Sequence, residues 1–154
     1  MKKLYLFCLT VLCFVLNINA VDYKNWMGEL PNEMKISQLS VPGTHDSGTA
    51  GFLLCGETQK LDIQSQLNSG VRAFDIRAGV QNGSTLLIFH SELLHGSEID
   101  KVFRTMTDFL IAHPSECLFV VLKRECGNEA TWNNLIQSCL QKYKTFFADL
   151  NKNL

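Results

Sequence analysis

The chain has 154 residues, a formal net charge of −1 from 14 Lys and Arg against 15 Asp and Glu, and 46% hydrophobic residues. Its basic residues occur singly or in pairs, so the charged footprint of a nucleic-acid-binding surface is missing and nucleic acid is not an expected partner. The length suits one small domain rather than two.

Residues 1–20 begin with Lys2 and Lys3, run through an apolar segment from Leu4 to Leu16, and close on "NIN" and Ala20. That is the pattern of a secretory signal peptide, and its apolar core is shorter than the ~20 residues that cross a bilayer as a helix. The expectation is a secreted, extracellular protein whose mature domain covers 21–154. Cys8 and Cys13 leave with the leader. Cys55, Cys117, Cys126 and Cys139 then lie in an oxidising compartment, where they are expected to act as disulfide staples. Four cysteines allow three pairings and the sequence does not choose among them. They lack the close CxxC spacing of a zinc site.

Four short apolar runs read as strands: Ile36 to Val41, Val71 to Arg77, Leu86 to Phe89 and Cys117 to Leu122. The last is nearly continuous and β-branched, as in a strand covered on both faces. Helical patterns fall between and after them. "LDIQSQLNSG" is a short helix with Gly70 as its stop. "SEIDKVFRTMTDFLIAH" places Ile99, Val102, Phe103, Met106, Phe109 and Leu110 on one stripe, with Ser97 as N-cap and Pro114 as terminator. "ATWNNLIQSCLQKYKTFFADL" carries a broad apolar face through Leu135, Ile136, Cys139 and Leu140. Strands alternating with helices predict parallel βα units with right-handed crossovers. An eight-stranded βα barrel needs about 250 residues, and the mature chain offers roughly half. A flattened sandwich, a fragment of a barrel, and a half that pairs with a second chain all remain open.

Polar residues collect where such a fold performs chemistry, at the carboxyl ends of strands. In "SVPGTHDSGT", His45 and Asp46 follow the first strand. The stretch alone could be an ordinary turn, since turns favour Gly, Pro, Asp and Ser. Asp75 and Arg77 end the second strand, His90 ends the third, and Lys123 with Glu125 follows the fourth. Two histidines, an arginine and a lysine around one mouth suit a phosphate ester. One imidazole removes a proton from an attacking hydroxyl while the other protonates the leaving oxygen. The fixed fork of the arginine holds phosphate oxygens as charge builds. No metal or other cofactor is required. A serine hydrolase fits poorly, because adjacent residues in "HDS" cannot aim at one another and no G-x-S-x-G elbow is present. A zinc hydrolase fits poorly for want of H-E-x-x-H. His95 reads as a loop residue and His113 as a helix terminus.

At these residues the chain resembles the X domain of phosphatidylinositol-specific phospholipase C, of the secreted bacterial type. The resemblance runs through "WMGELP", "SVPGTHDSGT", "GVRAFDIR", "LLIFH" and "HPSECLFVVLKRE", nearly the whole mature chain. It implies an α/β fold, a TIM barrel of the phosphodiesterase type of which about the first half is present. It implies His45 as the base toward the inositol 2-hydroxyl, with His90 as the acid for the glycerol oxygen supported by Asp46. Arg77 would hold the phosphate where eukaryotic relatives use calcium, with Asp75 positioning the cluster and Lys123 contacting the inositol ring. The products would be cyclic inositol phosphate and diacylglycerol, and the reaction would proceed in the presence of a chelator. Phosphatidylinositol or a glycosylated inositol lipid would be the transient membrane partner. The sequence departs from the family at Ser91, where a glycine is common, and it stops before the second half of the inositol pocket and the late aspartate that orients the base. An inactive half-barrel that binds inositol headgroups, and a secreted interaction module that recruits a partner through open strand edges, therefore stand beside the enzyme. A homodimer or a separate C-terminal half would complete the barrel.

Overall fold

A computed structural model describes residues 21–52 and 56–148; the leader at 1–20 and Cys55 lie outside the described residues. Five strands form one sheet: β1 (Gly43–Thr44), β2 (Ala73–Gln81), β3 (Thr85–His90), β4 (Leu93–Glu98) and β5 (Phe119–Cys126). Among the described residues three helices accompany it: α1 (Ile63–Asn68), α2 (Ile99–Ala112) and α3 (Glu129–Lys142). β2 is the hub, pairing in parallel with β1 and β5 and antiparallel with β3, which in turn pairs antiparallel with β4.

The expected all-parallel order therefore holds for β1, β2 and β5 and fails for β3. The short turn from Gln81 to Thr85 contains Asn82 and Gly83, both at positive φ, which closes a hairpin in place of the parallel crossover that the general βα order implied. β4 corrects the expectation of a loop around His95, because Leu93–Glu98 pairs as a strand with β3. The expected first strand at Ile36 to Val41 is also corrected: Ile36–Gln38 is a 3₁₀ turn, Ile36 is 65% exposed, and strand pairing begins only at Gly43. β5 extends past Leu122, so Lys123 and Glu125 lie within the strand. One of its faces is open, with Val121 at 65% exposure, so it is not covered on both sides.

The helices behave as their patterns predict. Asp62 caps α1 by accepting from the Ser65 amide, and Gly70 follows its end at φ +93°. α2 buries Ile99, Val102, Phe103, Met106 and Phe109; Glu98, not Ser97, occupies its N-cap position. α3 ends at Lys142, earlier than the apolar pattern suggested, and a 3₁₀ turn continues at Lys144–Phe146. These stripes meet Phe74, Ile76 and Ala78 from one face of β2, together with Leu86 and Ile88 of β3. Each fully buried side chain of this size contributes roughly 1.5–3 kcal/mol. The alternate residues of β2, Ala73, Asp75 and Arg77, point away from this core, which frees that face for polar chemistry.

The N-terminal segment is bound beneath the sheet by Arg72, whose side chain is fully buried. Its Nε donates to Glu116 Oε2 at 2.8 Å, Nη1 donates to the carbonyls of Leu67 and Val71, and Nη2 donates to those of Tyr23 and Lys24. All five guanidinium N–H groups are thereby satisfied, as burial of a charge demands. The Met27 amide donates to the other Glu116 oxygen at 3.1 Å and the Trp26 indole to the Gly70 carbonyl at 3.0 Å.

The disulfide expectation is overturned among the described residues: Cys117, Cys126 and Cys139 are free thiols. They sit on different parts of the fold, Cys117 ahead of β5 against the Met27 sulfur, Cys126 at the end of β5 over Gly79, and Cys139 on α3.

Candidate active site

The loop after β1 is built by hydroxyl and amide groups. The Ser47 amide donates to the Asp75 carbonyl at 2.8 Å, Ser47 Oγ accepts from the Asp75 amide at 2.9 Å and donates to the Thr44 carbonyl at 3.0 Å. Buried Gln66 of α1 donates to the Ser47 carbonyl at 2.8 Å and accepts from Thr44 Oγ1 at 2.7 Å. Gly48 presses on Ile88, where a Cβ would come within 2.9 Å of the isoleucine side chain, so only glycine lets the loop lie this close to β3. Between these anchors Asp46 is held at φ +48°, an uncommon conformation for a non-glycine residue and one tolerated where the surroundings over-determine it. The result drives the Asp46 carboxylate inward to zero side-chain exposure while His45 stays at the mouth, 65% exposed.

Around that buried carboxylate the sequence candidates converge. Arg77 Nε lies 2.7 Å from Asp46 Oδ1 and 3.1 Å from Asp75 Oδ2. His45 Nε2 is 3.1 Å from Asp46 Oδ2, and His45 Nδ1 is 3.0 Å from Asp75 Oδ2. His90 Nε2 is 3.4 Å from the same Asp46 oxygen. Neither Asp46 oxygen has a well-aligned hydrogen-bond donor, so these contacts are primarily charge pairings. Each ring nitrogen of His45 therefore stands beside a carboxylate, Nδ1 beside Asp75 and Nε2 beside Asp46, with Arg77 Nη2 also 3.5 Å from Nδ1. Likewise His90 Nδ1 donates to the Gly56 carbonyl at 3.0 Å, which leaves its Nε2 facing the site.

The route by which His90 arrives differs from the expected strand-end rule. Because β3 is antiparallel and Ile88 pairs with Ala78, His90 two residues later turns back toward the Asp75 to Arg77 segment. Lys123 pairs in register with Arg77 across β2 and β5. Beyond it the register slips between Ala78 and Gly79, a bulge that leaves Glu125 without a cross-strand partner. Glu125 Oε1 accordingly lies 3.3 Å from Arg77 Nη1 and 2.9 Å from Lys123 Nζ. Glu125 was expected beside Lys123 at the strand end but not as a partner of Arg77, and Ser47 and Gln66 were not expected as loop anchors. The hydroxyl-rich run on either side of "HD" was the available signal for the anchors. A bulge leaves no such trace.

Asp46, Asp75 and Glu125 thus face the side chains of Arg77 and Lys123. His45, Asp46 and Asp75 also offer ligand atoms within 4.8 Å of one another, a spacing that could hold a cation. The Arg77 guanidinium already stands against both of those carboxylates. His113 is elsewhere, with Nδ1 2.8 Å from Asn25 Oδ1 and its ring on Phe109.

A parallel-cored α/β sheet with two imidazoles and an arginine gathered on a buried carboxylate defines the class. Residues 33–150 match the family model for the phosphatidylinositol-specific phospholipase C X domain, and the chain belongs to that family. A 1-phosphatidylinositol phosphodiesterase of Listeria monocytogenes is 32% identical over 136 residues, 84% of this chain and 42% of the relative. One from Staphylococcus aureus strain Newman is 25% identical over 125 residues, 78% of this chain and 40% of the relative. The solved structure of the phosphatidylinositol-specific phospholipase C from Listeria monocytogenes matches with a TM-score of 0.72 at 30% identity, over 82% of this chain and 47% of that one. The sheet and helices are thus part of the TIM-barrel fold of these enzymes, and the chain spans less than half the length of the relatives it matches.

Proposed function

We propose that the chain is a phosphodiesterase that cleaves phosphatidylinositol by intramolecular attack. The observation that carries this reading is the convergence of His45, His90 and Arg77 on buried Asp46, with distances of 3.1, 3.4 and 2.7 Å. His45 Nε2 takes the proton of the inositol 2-hydroxyl, and the imidazolium so formed lies between the Asp75 and Asp46 carboxylates, which stabilise it. The alkoxide oxygen bonds to phosphorus, closing a cyclic inositol phosphate. His90 Nε2–H delivers its proton to the glycerol oxygen as the P–O bond breaks, releasing diacylglycerol. Arg77 holds the non-bridging oxygens as negative charge grows, and Lys123 reaches the inositol ring. Contact with the membrane is transient and interfacial, and no helix among the described residues is long and apolar enough to cross it. Export by the leader at 1–20 places the reaction outside the cell.

The test is turnover of phosphatidylinositol vesicles by the secreted chain in excess chelator, beside a His45→Ala control. Activity that disappears in the control is the expected result, and none from the folded parent chain removes the catalytic reading. A second reading has its own observation: the open face of β5, with Val121 65% exposed, suits a half-barrel that binds inositol headgroups without turnover or closes against a second copy or a C-terminal half. Headgroup binding without turnover, or turnover only on dimerisation, would identify it.

A further inference from the structure

We propose that Gln59 is a positioning residue for this reaction: its side-chain amide pins the peptide between His45 and Asp46, and so holds Asp46 in the backbone conformation that turns its carboxylate into the site. The inference rests on the phosphatidylinositol reading above. A peptide unit moves as one rigid plate, and turning it changes φ of the residue that follows. Asp46 sits at φ +48°, a region that a non-glycine residue keeps only when its surroundings hold it there. Turning the plate before it is the shortest way out.

That plate is gripped at both edges. Its N–H, from Asp46, donates to Asp75 Oδ2 at 3.3 Å, which is long for such a bond. Its C=O, from His45, accepts from Gln59 Nε2 at 2.7 Å. The carbonyl edge is therefore the firmer hold. Thr58 Oγ1 also lies 3.1 Å from the His45 carbonyl, but a hydroxyl has a single proton to give. Thr49 donates its own to the Asp46 carbonyl at 2.9 Å, so at 2.7 Å it is left to accept from Thr58. Gln59 is the committed donor to His45.

The half-buried glutamine is itself carried on a fixed backbone. The Thr58 amide donates to Thr49 Oγ1 at 3.1 Å, Glu57 accepts from the Gly51 amide at 3.0 Å, and Asp62 caps α1 just beyond. Gly56, at the head of the same segment, accepts from His90 Nδ1 at 3.0 Å. Asp46 is the shared partner of His45, His90 and Arg77, so a turned plate would cost all three their alignment at once. The His45 carbonyl stands at the exposed mouth of the site, where water replaces a lost donor. Losing Gln59 should thus disturb geometry far more than stability.

The experiment compares the secreted chain with Gln59→Met, which keeps the length and loses the donor, and Gln59→Lys, which keeps a donor at similar reach. Kinetics on a short-chain phosphatidylinositol dissolved as monomers are measured beside amide hydrogen exchange. The expected result for Gln59→Met is a kcat about 10²-fold lower with KM and Tm little changed, while Gln59→Lys stays close to the parent. In an Asp46→Asn background the methionine substitution should cost little further, because both changes act through one carboxylate. The Asp46 and Ser47 amides should exchange at least about tenfold faster in Gln59→Met, with the core amides unchanged. If the methionine variant does not keep the parental Tm, Gln59→Glu, of the same size and without a donor at neutral pH, takes its place. Parental kcat in Gln59→Met, equal losses in the methionine and lysine variants, or losses that multiply in full with Asp46→Asn overturn the proposal. A parent chain that turns over no inositol lipid removes the phosphatidylinositol reading. Faster exchange at Asp46 and Ser47 would then still support the pinned peptide, and unchanged exchange would overturn it.

Discussion

Nδ1 of His45 lies 3.0 Å from Oδ2 of Asp75. On the proposed mechanism this carboxylate, carried on β2, holds the Nδ1 proton and leaves Nε2 to accept one, which makes Asp75 the candidate orienter of the base. Asp75→Asn keeps the shape and loses the charge. It is expected to reduce kcat by at least about 10²-fold with a much smaller change in KM. Steady-state kinetics on phosphatidylinositol check this, and an unchanged kcat would remove Asp75 from the orienting role.

Arg77 is held by three carboxylates, Asp46, Asp75 and Glu125, so its guanidinium plane is set before a phosphate arrives. Arg77→Lys preserves the charge and discards the fork. The expected loss in kcat is on the order of 10²–10³-fold. Near-parental turnover in the lysine variant would show that charge alone suffices.

The buried Arg72–Glu116 pair is isolated from the site. Glu116→Gln leaves a guanidinium buried without its counter-charge and is expected to destabilise the fold by about 3–5 kcal/mol. Urea unfolding measures it. A smaller loss is expected when Arg72→Met is added to Glu116→Leu, because both charges then leave together.

Asp100, in the first turn of α2, has its pKa lowered, chiefly by the Lys142 ammonium 2.6 Å away on α3, with Tyr143 donating to the same oxygen at 2.9 Å. A lowered folded-state pKa stabilises above the unfolded-state value and ceases to do so as pH falls through the folded one. Asp100→Asn is expected to lower Tm by a few degrees near pH 7, and the gap should narrow steadily below about pH 4. A gap that persists into strong acid would point to lost helix capping instead.

Burial pushes the Cys126 and Cys139 thiols above their ordinary pKa. Both are expected to alkylate slowly in the folded chain at neutral pH and readily in denaturant without reductant. Peptide mapping that found a bridge among Cys117, Cys126 and Cys139 would contradict the structure.

Much of the site was legible because it is carried by short runs whose residue types have few other uses together: His45 and Asp46 in one turn, Asp75 and Arg77 on one face of β2. The helices were legible from periodicity, as the buried stripe of α2 shows. What escaped depended on pairing partners distant in sequence. The direction of β3 was decided by Asn82 and Gly83, the bulge at Glu125 by the register of β5 on β2, and the burial of Arg72 by Glu116, Tyr23 and Lys24. The cysteines misled because compartment and number say nothing of separation.

The clamp at Arg72 also orders events during synthesis. Carbonyls at Tyr23 and Lys24 wait for a guanidinium 49 and 48 residues later, and the Met27 amide waits for a carboxylate 89 residues later. At roughly 5–20 residues per second, several seconds pass before Glu116 emerges. Throughout that interval the first segment of the domain is an unanchored tail. Its last anchor is made only shortly before β5 and the final helix follow.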